Sequence, residues 1–437
     1  MDYSQVTDFI NKAKKFGSRL DLTRIEKLCA LLGHPERKSR FVHVAGTNGK
    51  GSVSVYLENI LASSGLTVGL FTSPFIYDFN ERIQINNVPI SDSDLLFCME
   101  EVVRATEQMI EEGFEHPTEF ELITAAAFLY FKHKECDIVV LEVGLGGRLD
   151  ATNVIQKPLV SVITSISFDH MEYLGTTLAE IAENKCGIIK KGCPVVSYPN
   201  QPAEAMRVME ETAKRRESVL KVPDGELTIH ESGLAGNRFT YEGEAYETAL
   251  VGTFQVYNAV TAIAAVKCLQ SGGVLISEEH IRQGLMRAKW PARFELLRKS
   301  PVVILDGSHN ADGMRAFVET AKTCLCGKKA ICVFGMLKDK DYASCLSMLS
   351  EVTDTVVVTE VDNPRKESAE TLAQTAKQFI PHVHAEKNNR DAVALAKKLA
   401  KDTDAIICLG SLYMMKDIRD AVEDLFAPDT KQTEGKQ

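Results

Sequence analysis

The sequence has no run approaching ~18 consecutive apolar residues, so no membrane span is expected. Its start, Met1 to Lys15, is polar and amphipathic and lacks the central apolar run of a secretory leader, which makes the cytoplasm the expected compartment. No Cys-x-x-Cys pair occurs among the 11 cysteines, and only Cys324 and Cys326 stand close together. Scattered cysteines without a leader read as reduced, mostly buried thiols, not as a disulfide framework or a metal or redox site. Basic residues are not in excess: 50 Lys and Arg face 60 Asp and Glu, for a net charge of −10. That balance excludes non-specific nucleic-acid binding while leaving room for a local basic pocket around an anionic substrate. Internal repeats and low-complexity tracts are absent.

What remains is a globular composition, 45% hydrophobic and 25% charged, in 437 residues. That length predicts two or three domains. Short apolar runs at Phe41–Ala45, Val68–Phe71, Ile138–Glu142 and Leu159–Ile163 alternate with helical patterns, notably Ser52–Ser63 and Glu119–Lys132. Alternation of this kind predicts parallel βαβ units whose strands are apolar on both faces. Residues 219–250 read instead as a small antiparallel flap, with turn signals at Asp224-Gly225 and Glu242-Gly243, and a helix follows from about Gln255 to Gln270. A second βα series has strands at Val302–Asp306, Ala330–Phe334, Thr355–Thr359 and Ala405–Leu409, with helices near 311–323, 341–350, 368–379, 391–401 and 415–425. The expected fold is therefore α/β: a P-loop-type parallel-sheet domain with an antiparallel flap over 1–297, and a Rossmann-like α/β domain over 298–427. Residues 428–437 are read as a disordered tail.

The most specific local feature is Gly46-Thr-Asn-Gly-Lys-Gly-Ser52, between the strand Phe41–Ala45 and a helical pattern. Glycines let the backbone wrap phosphates, and a helix N-terminus adds partial positive charge. Thr47, Asn48, Gly49, Lys50, Gly51 and Ser52 are thus candidate ATP-binding residues. Lys50 is placed to reach the terminal phosphates, and Ser52 to help position magnesium. The strict Gly-x4-Gly-Lys-Ser/Thr pattern is not met: Val44 occupies the first glycine position and Gly51 follows the lysine. The bland alternative is a glycine-rich strand-to-helix turn.

This loop resembles the shortened phosphate loop of the Mur ligase superfamily, most closely its folylpolyglutamate synthase and dihydrofolate synthase branch of the bifunctional bacterial type. The resemblance recurs over roughly residues 17–415. It implies a cytoplasmic ligase of folate biosynthesis that uses ATP and two Mg2+ ions to join L-glutamate to a folate or to dihydropteroate through an acyl phosphate, acting as a monomer without nucleic-acid or membrane partners.

Several residues acquire expected roles in this way. Ser73, in the loop Thr72–Ile83, is implied to bind magnesium. Glu142 ends an apolar strand beside the Gly-rich run Gly144–Asn153, a position that suits a hard cation. His170, just past the strand ending at Ile163, would alone read as a packed histidine; with Glu142 and Ser73 it matches the family's metal positions. Lys185 would otherwise read as an exposed helical lysine, but the family's lysine here is carboxylated on its side-chain nitrogen and supports the second metal. Lys50, His170 and Lys185 are the implied catalytic set. Asn258 matches an adenine contact, Arg293 a phosphate contact and Asp306 a nucleotide contact. Thr118, Glu119, Phe120 and Glu121 match the pterin segment, where Phe120 can stack on a flat ring. Leu149, Asp150 and Ala151 match the dihydropteroate-binding part and favour a bifunctional enzyme. His309 is assigned to the neighbourhood of the incoming glutamate. The run Gly335–Asp341 is either near the cleft or a solvated charge run.

Two other readings stay open: a different Mur-type amide ligase, and a P-loop regulatory protein that hydrolyses nucleotide slowly. A peptidoglycan-type ligase is expected to carry a further N-terminal domain, for which a phosphate loop at residue 46 leaves no room. A regulator would have no use for Glu142, His170 and Lys185.

Overall fold

The computed structural model describes residues 2–13, 17, 21–328, 330–401 and 404–427; the expected disordered tail lies outside the described residues. The chain divides into two compact units. The first takes the chain up to Glu231, then Asn237–Ala249 and Thr253–Lys289; the second takes Ser232–Gly236, Leu250–Gly252 and everything from Trp290 onward.

The first unit is built on an eight-stranded sheet: β1 (Phe41–Ala45), β2 (Val68–Phe71), β3 (Ile83–Ile85), β4 (Val88–Pro89), β5 (Ile138–Glu142), β6 (Val160–Ile163), β7 (Val195–Ser197) and β8 (Leu220–Lys221). Their order is β4-β3-β2-β5-β1-β6-β7-β8. The pairs β2–β5, β5–β1, β1–β6, β6–β7 and β7–β8 are parallel, while β3 runs antiparallel to β2. Every residue of β1, β2, β5 and β6 is buried, as a sheet covered on both faces requires. Because β1 lies between β5 and β6, the chain leaves it in one direction and returns on its other side. Their C-terminal ends therefore share one edge, where α/β ligand sites form.

The helix after β1 spans Lys50–Ser63, starting two residues before the expected Ser52. Gly49 takes a left-handed φ of 86° as its N-cap, so Lys50 and Gly51 already belong to the first turn. The helix is buried from Ser52 to Leu61. Close packing at Ile60 depends on Gly284: a Cβ there would come within 2.4 Å of the Ile60 Cα.

The flap is present as three antiparallel strands, β9 (Leu227–Gly233), β10 (Gly236–Tyr241) and β11 (Glu244–Thr248), in the order β11-β10-β9. Glu242-Gly243 forms its second turn with φ of 51° and 82°, as a two-residue hairpin requires. Asp224-Gly225 leads into β9 instead of turning a hairpin, because Leu220–Lys221 pairs with β7.

The second unit is a six-stranded sheet of β12 (Glu295–Lys299), β13 (Val302–Asp306), β14 (Ala330–Phe334), β15 (Thr353–Val358), β16 (His382–Ala385) and β17 (Ala405–Leu409), in the order β12-β13-β17-β14-β15-β16. All neighbours are parallel except β12, which runs antiparallel to β13. This pairing places Glu295–Lys299 with the second unit, whose main segment begins at Trp290, ahead of the boundary expected at 297. Helices on the sheet bury Met314, Phe317, Leu346, Leu372 and Ile407 in one core. Both halves of the expected α/β architecture are present.

One buried carboxylate ties the phosphate-loop helix to the β3–β4 hairpin. Glu58 accepts a 2.7 Å hydrogen bond from the Asn87 backbone N–H, and the Asn59 and Asn87 amides exchange bonds of 3.0 and 3.1 Å. Burial pushes the Glu58 carboxyl up to about 7, only partly opposed by the Asn87 N–H. A carboxyl raised in the folded state binds its proton more tightly there than in the unfolded chain, so stability falls as pH rises from the ordinary carboxylate range through 7. Glu58→Gln is therefore expected to stabilise the protein by about 1–3 kcal/mol at pH 8 and by little at pH 5, read by urea unfolding at both pH values.

Candidate active site

The loop after β1 is held by the segment after β6. Gly46 lies so close to Thr164 that a Cβ would sit 1.8 Å from its Oγ1, so no other residue fits. Thr164 Oγ1 donates to the Asn48 carbonyl at 2.7 Å, and the Thr47 N–H donates to the Ser165 carbonyl at 2.8 Å. Thr47 Oγ1 donates to the Ser167 carbonyl at 3.0 Å while accepting from the Ser167 N–H at 3.1 Å. The loop's conformation is thus set by non-local bonds before any ligand arrives. Beneath it lies Asn258, buried in the helix Thr253–Ser271, with its Nδ2 on Gln255 Oε1 at 3.0 Å. A Cβ on Gly49 would meet Asn258 Oδ1 at 2.5 Å. The first i→i−4 bond of the following helix is Val53 N–H to Gly49 carbonyl, at 2.9 Å. The amides of Lys50, Gly51 and Ser52 precede it and belong to the helix's first turn, whose N–H groups are not needed by the helix itself.

Two lysines converge on one carbonyl. Lys50 Nζ donates to the Gly46 and Thr47 carbonyls, each at 3.2 Å. Lys185 Nζ donates to the same Gly46 carbonyl at 2.7 Å. Lys185 is buried, not exposed, at 4% accessibility. Burial, reinforced by the Lys50 cation, pulls its amine down to about 7, with Asp169 and Asp150 opposing. Two glycines let its helix, Leu178–Cys186, come this close: a Cβ on Gly147 would meet the Lys185 carbonyl at 2.8 Å, and one on Gly187 the Arg148 Cα at 2.3 Å.

Glu142 is buried at the end of β5, paired in register with Val44, one strand over from the loop. Ser73 follows β2, which neighbours β5 in turn. His170 follows the Thr164–Ser167 segment with a left-handed φ of 48° and is half-exposed. Strand order therefore brings the phosphate loop, Ser73, Glu142 and His170 to one edge of the sheet.

In the second unit, Asp306 ends β13 and is fully buried. Its carboxylate accepts from the Phe294 and Ser308 N–H groups, both at 2.8 Å. Burial pushes this carboxyl up, against the Arg293 cation. Arg293 Nη1 donates to the Ala292 carbonyl at 2.9 Å and lies against Gly307, where a Cβ would come within 2.5 Å of it. His309 Nδ1 is 2.8 Å from the Gly307 carbonyl. In the run Gly335–Asp341, Asp339 pairs with Arg365 at 3.0 Å and Asp341 caps the helix Tyr342–Leu349.

Residues 44–266 match the family model described as Mur ligase middle domain, and residues 292–412 the one described as Mur ligase, glutamate ligase domain. The dihydrofolate synthase/folylpolyglutamate synthase of Bacillus subtilis is 39% identical over 426 residues, covering 95% of this chain and 98% of its own. The chain belongs to the folylpolyglutamate and dihydrofolate synthase family of Mur ligases. The crystal structure of Mycobacterium tuberculosis folylpolyglutamate synthase with ADP is similar at a TM-score of 0.88 and 31% identity, covering 98% of each chain. An FPGS–AMPPCP–folate complex is similar at 0.84 and 35%, covering 97% of this chain and all of the other. This protein is accordingly an ATP-dependent ligase.

Much of the segment expected to meet the pterin is engaged within the ligase itself. Thr118 and Glu121 form the capping box of the helix Glu119–His133, and Glu121 Oε2 also takes the Arg24 Nε–H at 3.1 Å. Asp150 is buried and accepts from the Leu145 and Thr152 N–H groups at 2.8 and 3.0 Å and from Thr152 Oγ1 at 2.6 Å. Phe120 packs on Phe71 with ring centroids 5.8 Å apart and touches Gly144. Glu119 is 3.5 Å from Arg82. Leu149 is half-buried and Ala151 buried.

Residue patterns alone missed Thr164, Ser167 and Gln201. The Gln201 amide donates to the Thr164 carbonyl at 2.8 Å and accepts from the Ile166 N–H at 3.0 Å. The available signal was the polar run after an apolar strand, but that β6 lies beside β1 is a property of the sheet. Gly46→Ala and Gly49→Ala are both expected to weaken ADP binding at least about tenfold, the first by displacing Thr164 and the second by adding left-handed strain. Calorimetric titration with ADP reads this directly.

Proposed function

We propose that this ligase transfers the γ-phosphoryl of ATP to the carboxylate of dihydropteroate or of a reduced folate, then passes the acyl group to the amine of L-glutamate. In the first step a carboxylate oxygen bonds to the γ-phosphorus as the bond to ADP breaks. In the second, the glutamate amine attacks the acyl carbon, phosphate leaves with the former carboxylate oxygen, and the amine gives up a proton as the amide forms. The observation that carries this reading is the convergence of Lys50 and Lys185 on the Gly46 carbonyl at a helix N-terminus. Phosphoryl transfer asks for positioning and neutralisation of spread charge more than for covalent chemistry. Phosphate oxygens that reach the loop compete with two backbone carbonyls for the Lys50 ammonium. Arg293 and Asp306 are proposed as nucleotide contacts of the second unit, Asn258 as the support of the loop and an adenine contact, and His309 as a neighbour of glutamate.

Magnesium fits the donor set. Among the described residues, no three His, Cys, Asp or Glu side chains group as a metal site. Mg2+ is commonly held by one or two carboxylates with substrate phosphates and water, so Glu142 with Ser73, and His170 with Lys185, suit two such ions. When bound, they would neutralise charge on the phosphates. An uncharged Lys185 amine can attack CO2 and lose a proton, converting a buried amine into an anion that suits the second ion. The depressed proton affinity of Lys185 supports this at neutral pH. Phe120, Glu119 and Leu149 are proposed to meet the pterin, while Thr118, Glu121, Asp150 and Ala151 shape its site from behind. A monomer in the cytoplasm completes the proposal.

Mass spectrometry of products formed from ATP, Mg2+, glutamate and either dihydropteroate or tetrahydrofolate tests the reaction. Products heavier by one glutamyl unit, with ADP release dependent on the pterin, are expected; ADP release at an equal rate without pterin overturns it. Lys50→Ala is expected to lower kcat about a hundredfold or more. Lys185→Ala is expected to lose activity that short carboxylates partly restore, measured as ADP release with and without added acetate.

A further inference from the structure

Strand β1 carries one side chain that its surroundings do not ask for. His43 lies mid-strand between β5 and β6, at 0% accessibility, paired in register with Leu141 and Ser161. Its Nε2 is 2.9 Å from Thr152 Oγ1. Thr152 has one hydroxyl proton and donates it to Asp150 Oδ1 at 2.6 Å. The hydroxyl therefore accepts from His43, which fixes the Nε2–H tautomer. Burial, with the Lys190 cation adding, pushes the imidazole down to about 3, so it is neutral at working pH. Its Nδ1 is buried and, among the described residues, has no hydrogen-bond partner. A buried imidazole with one nitrogen unsatisfied contributes little that an apolar side chain of similar size would not. What distinguishes it from an apolar side chain is its single bond to Thr152.

That bond begins a closed circuit. Asp150, steadied by Thr152, holds the Leu145 N–H at 2.8 Å and so shapes the turn after Glu142. The turn then docks on the lysine helix: the Arg148 N–H donates to the Asn184 carbonyl at 2.8 Å, and Asn153 Nδ2 bridges the Arg148 and Gly187 carbonyls at 2.9 and 3.2 Å. Lys185, on that helix, returns to the loop just after β1 at the Gly46 carbonyl, 2.7 Å away. Contacts that leave β1 at His43 come back three residues later at the phosphate loop.

We propose that His43 is a positioning residue: through Thr152 and Asp150 it fixes the Gly144–Asn153 turn against Lys185, and so sets where the acceptor carboxylate meets the phosphate loop. The proposal rests on the reading of Leu149 as an acceptor contact.

The test compares His43→Leu, His43→Gln, Thr152→Val and the double variant His43→Leu/Thr152→Val, with Val42→Ala as a control for general loss of β1 packing. His43→Leu and Thr152→Val are expected to lower kcat/KM for the pterin acceptor about tenfold with KM for ATP unmoved. The double variant is expected to lose no more than either single one. His43→Gln, whose amide can donate to Thr152, is expected to recover most of the loss. Hydrogen exchange of the Leu145 amide is expected to quicken in His43→Leu and Thr152→Val and not in Val42→Ala. Wild-type kcat/KM in His43→Leu, additive losses in the double variant, or equal changes in both KM values overturn the proposal. Should His43→Leu fail to fold, Thr152→Val and His43→Gln decide it alone. Leu149→Asp with unchanged acceptor KM would overturn the acceptor reading instead, and the Leu145 exchange result would still decide whether His43 holds the turn.

Discussion

The carbonyl of Gly46 accepts hydrogen bonds from two lysines, and most of the first unit is arranged so that this can happen. Two cations on one acceptor repel, and burial penalises the second further. The conflict is settled on Lys185, whose amine loses affinity for its proton while Lys50 keeps the outer position. For Gly46 to present its carbonyl there, Thr164 must occupy the space of a side chain. That requires β6 beside β1, and Glu142 reaches the same edge only because β5 lies on the other side. A site for a polyanion thus follows from one strand order and one missing Cβ.

Carboxylates in this protein act largely as scaffold. Asp150 and Asp306 are both buried, both raised by burial, and both spend their oxygens on backbone N–H groups. Each shapes a turn beside a residue proposed above as a ligand contact: Leu149 next to Asp150, Arg293 next to Asp306. Glu121 does the same for the helix carrying Phe120. Removing one partner of such a bond leaves a buried N–H unsatisfied, which costs more than the bond itself contributes, so these residues fix geometry without tolerating replacement.

Local features were readable from residue types, and features set by distant chain were not. The phosphate loop is a strand–loop–helix written in one contiguous stretch, and the central strands announce themselves by unbroken apolar runs. Lys185 stands 139 residues from its acceptor in sequence, on an amphipathic helix whose pattern fits an exposed lysine equally well. Its burial comes from Gly147 and Gly187, which in sequence look like ordinary turn glycines. The edge strands β12 and β16 escaped notice because Glu295-Leu-Leu-Arg-Lys299 and His382-Val-His-Ala385 are polar and partly exposed, as strands with one open edge can be. Asp150 carries a structural signal in sequence, an aspartate two residues before the N–H it caps, while its pterin role is implied only by the family resemblance.

The turn after Trp290 shows the same economy under strain. Ala292 and Phe294 take left-handed φ values of 51° and 45°, conformations that cost side-chain-bearing residues free energy. They persist because the turn is fastened from three directions: the Ala292 N–H donates to Glu295 Oε2, the Gly307 N–H to the Ala292 carbonyl, and the Phe294 N–H to Asp306. Arg293 sits between the two strained residues and has little freedom in where its guanidinium emerges. A relaxed turn would let that long side chain sample many directions. Strain held by buried bonds exchanges folding stability for a fixed direction of the Arg293 side chain, which is what the proposed phosphate contact requires.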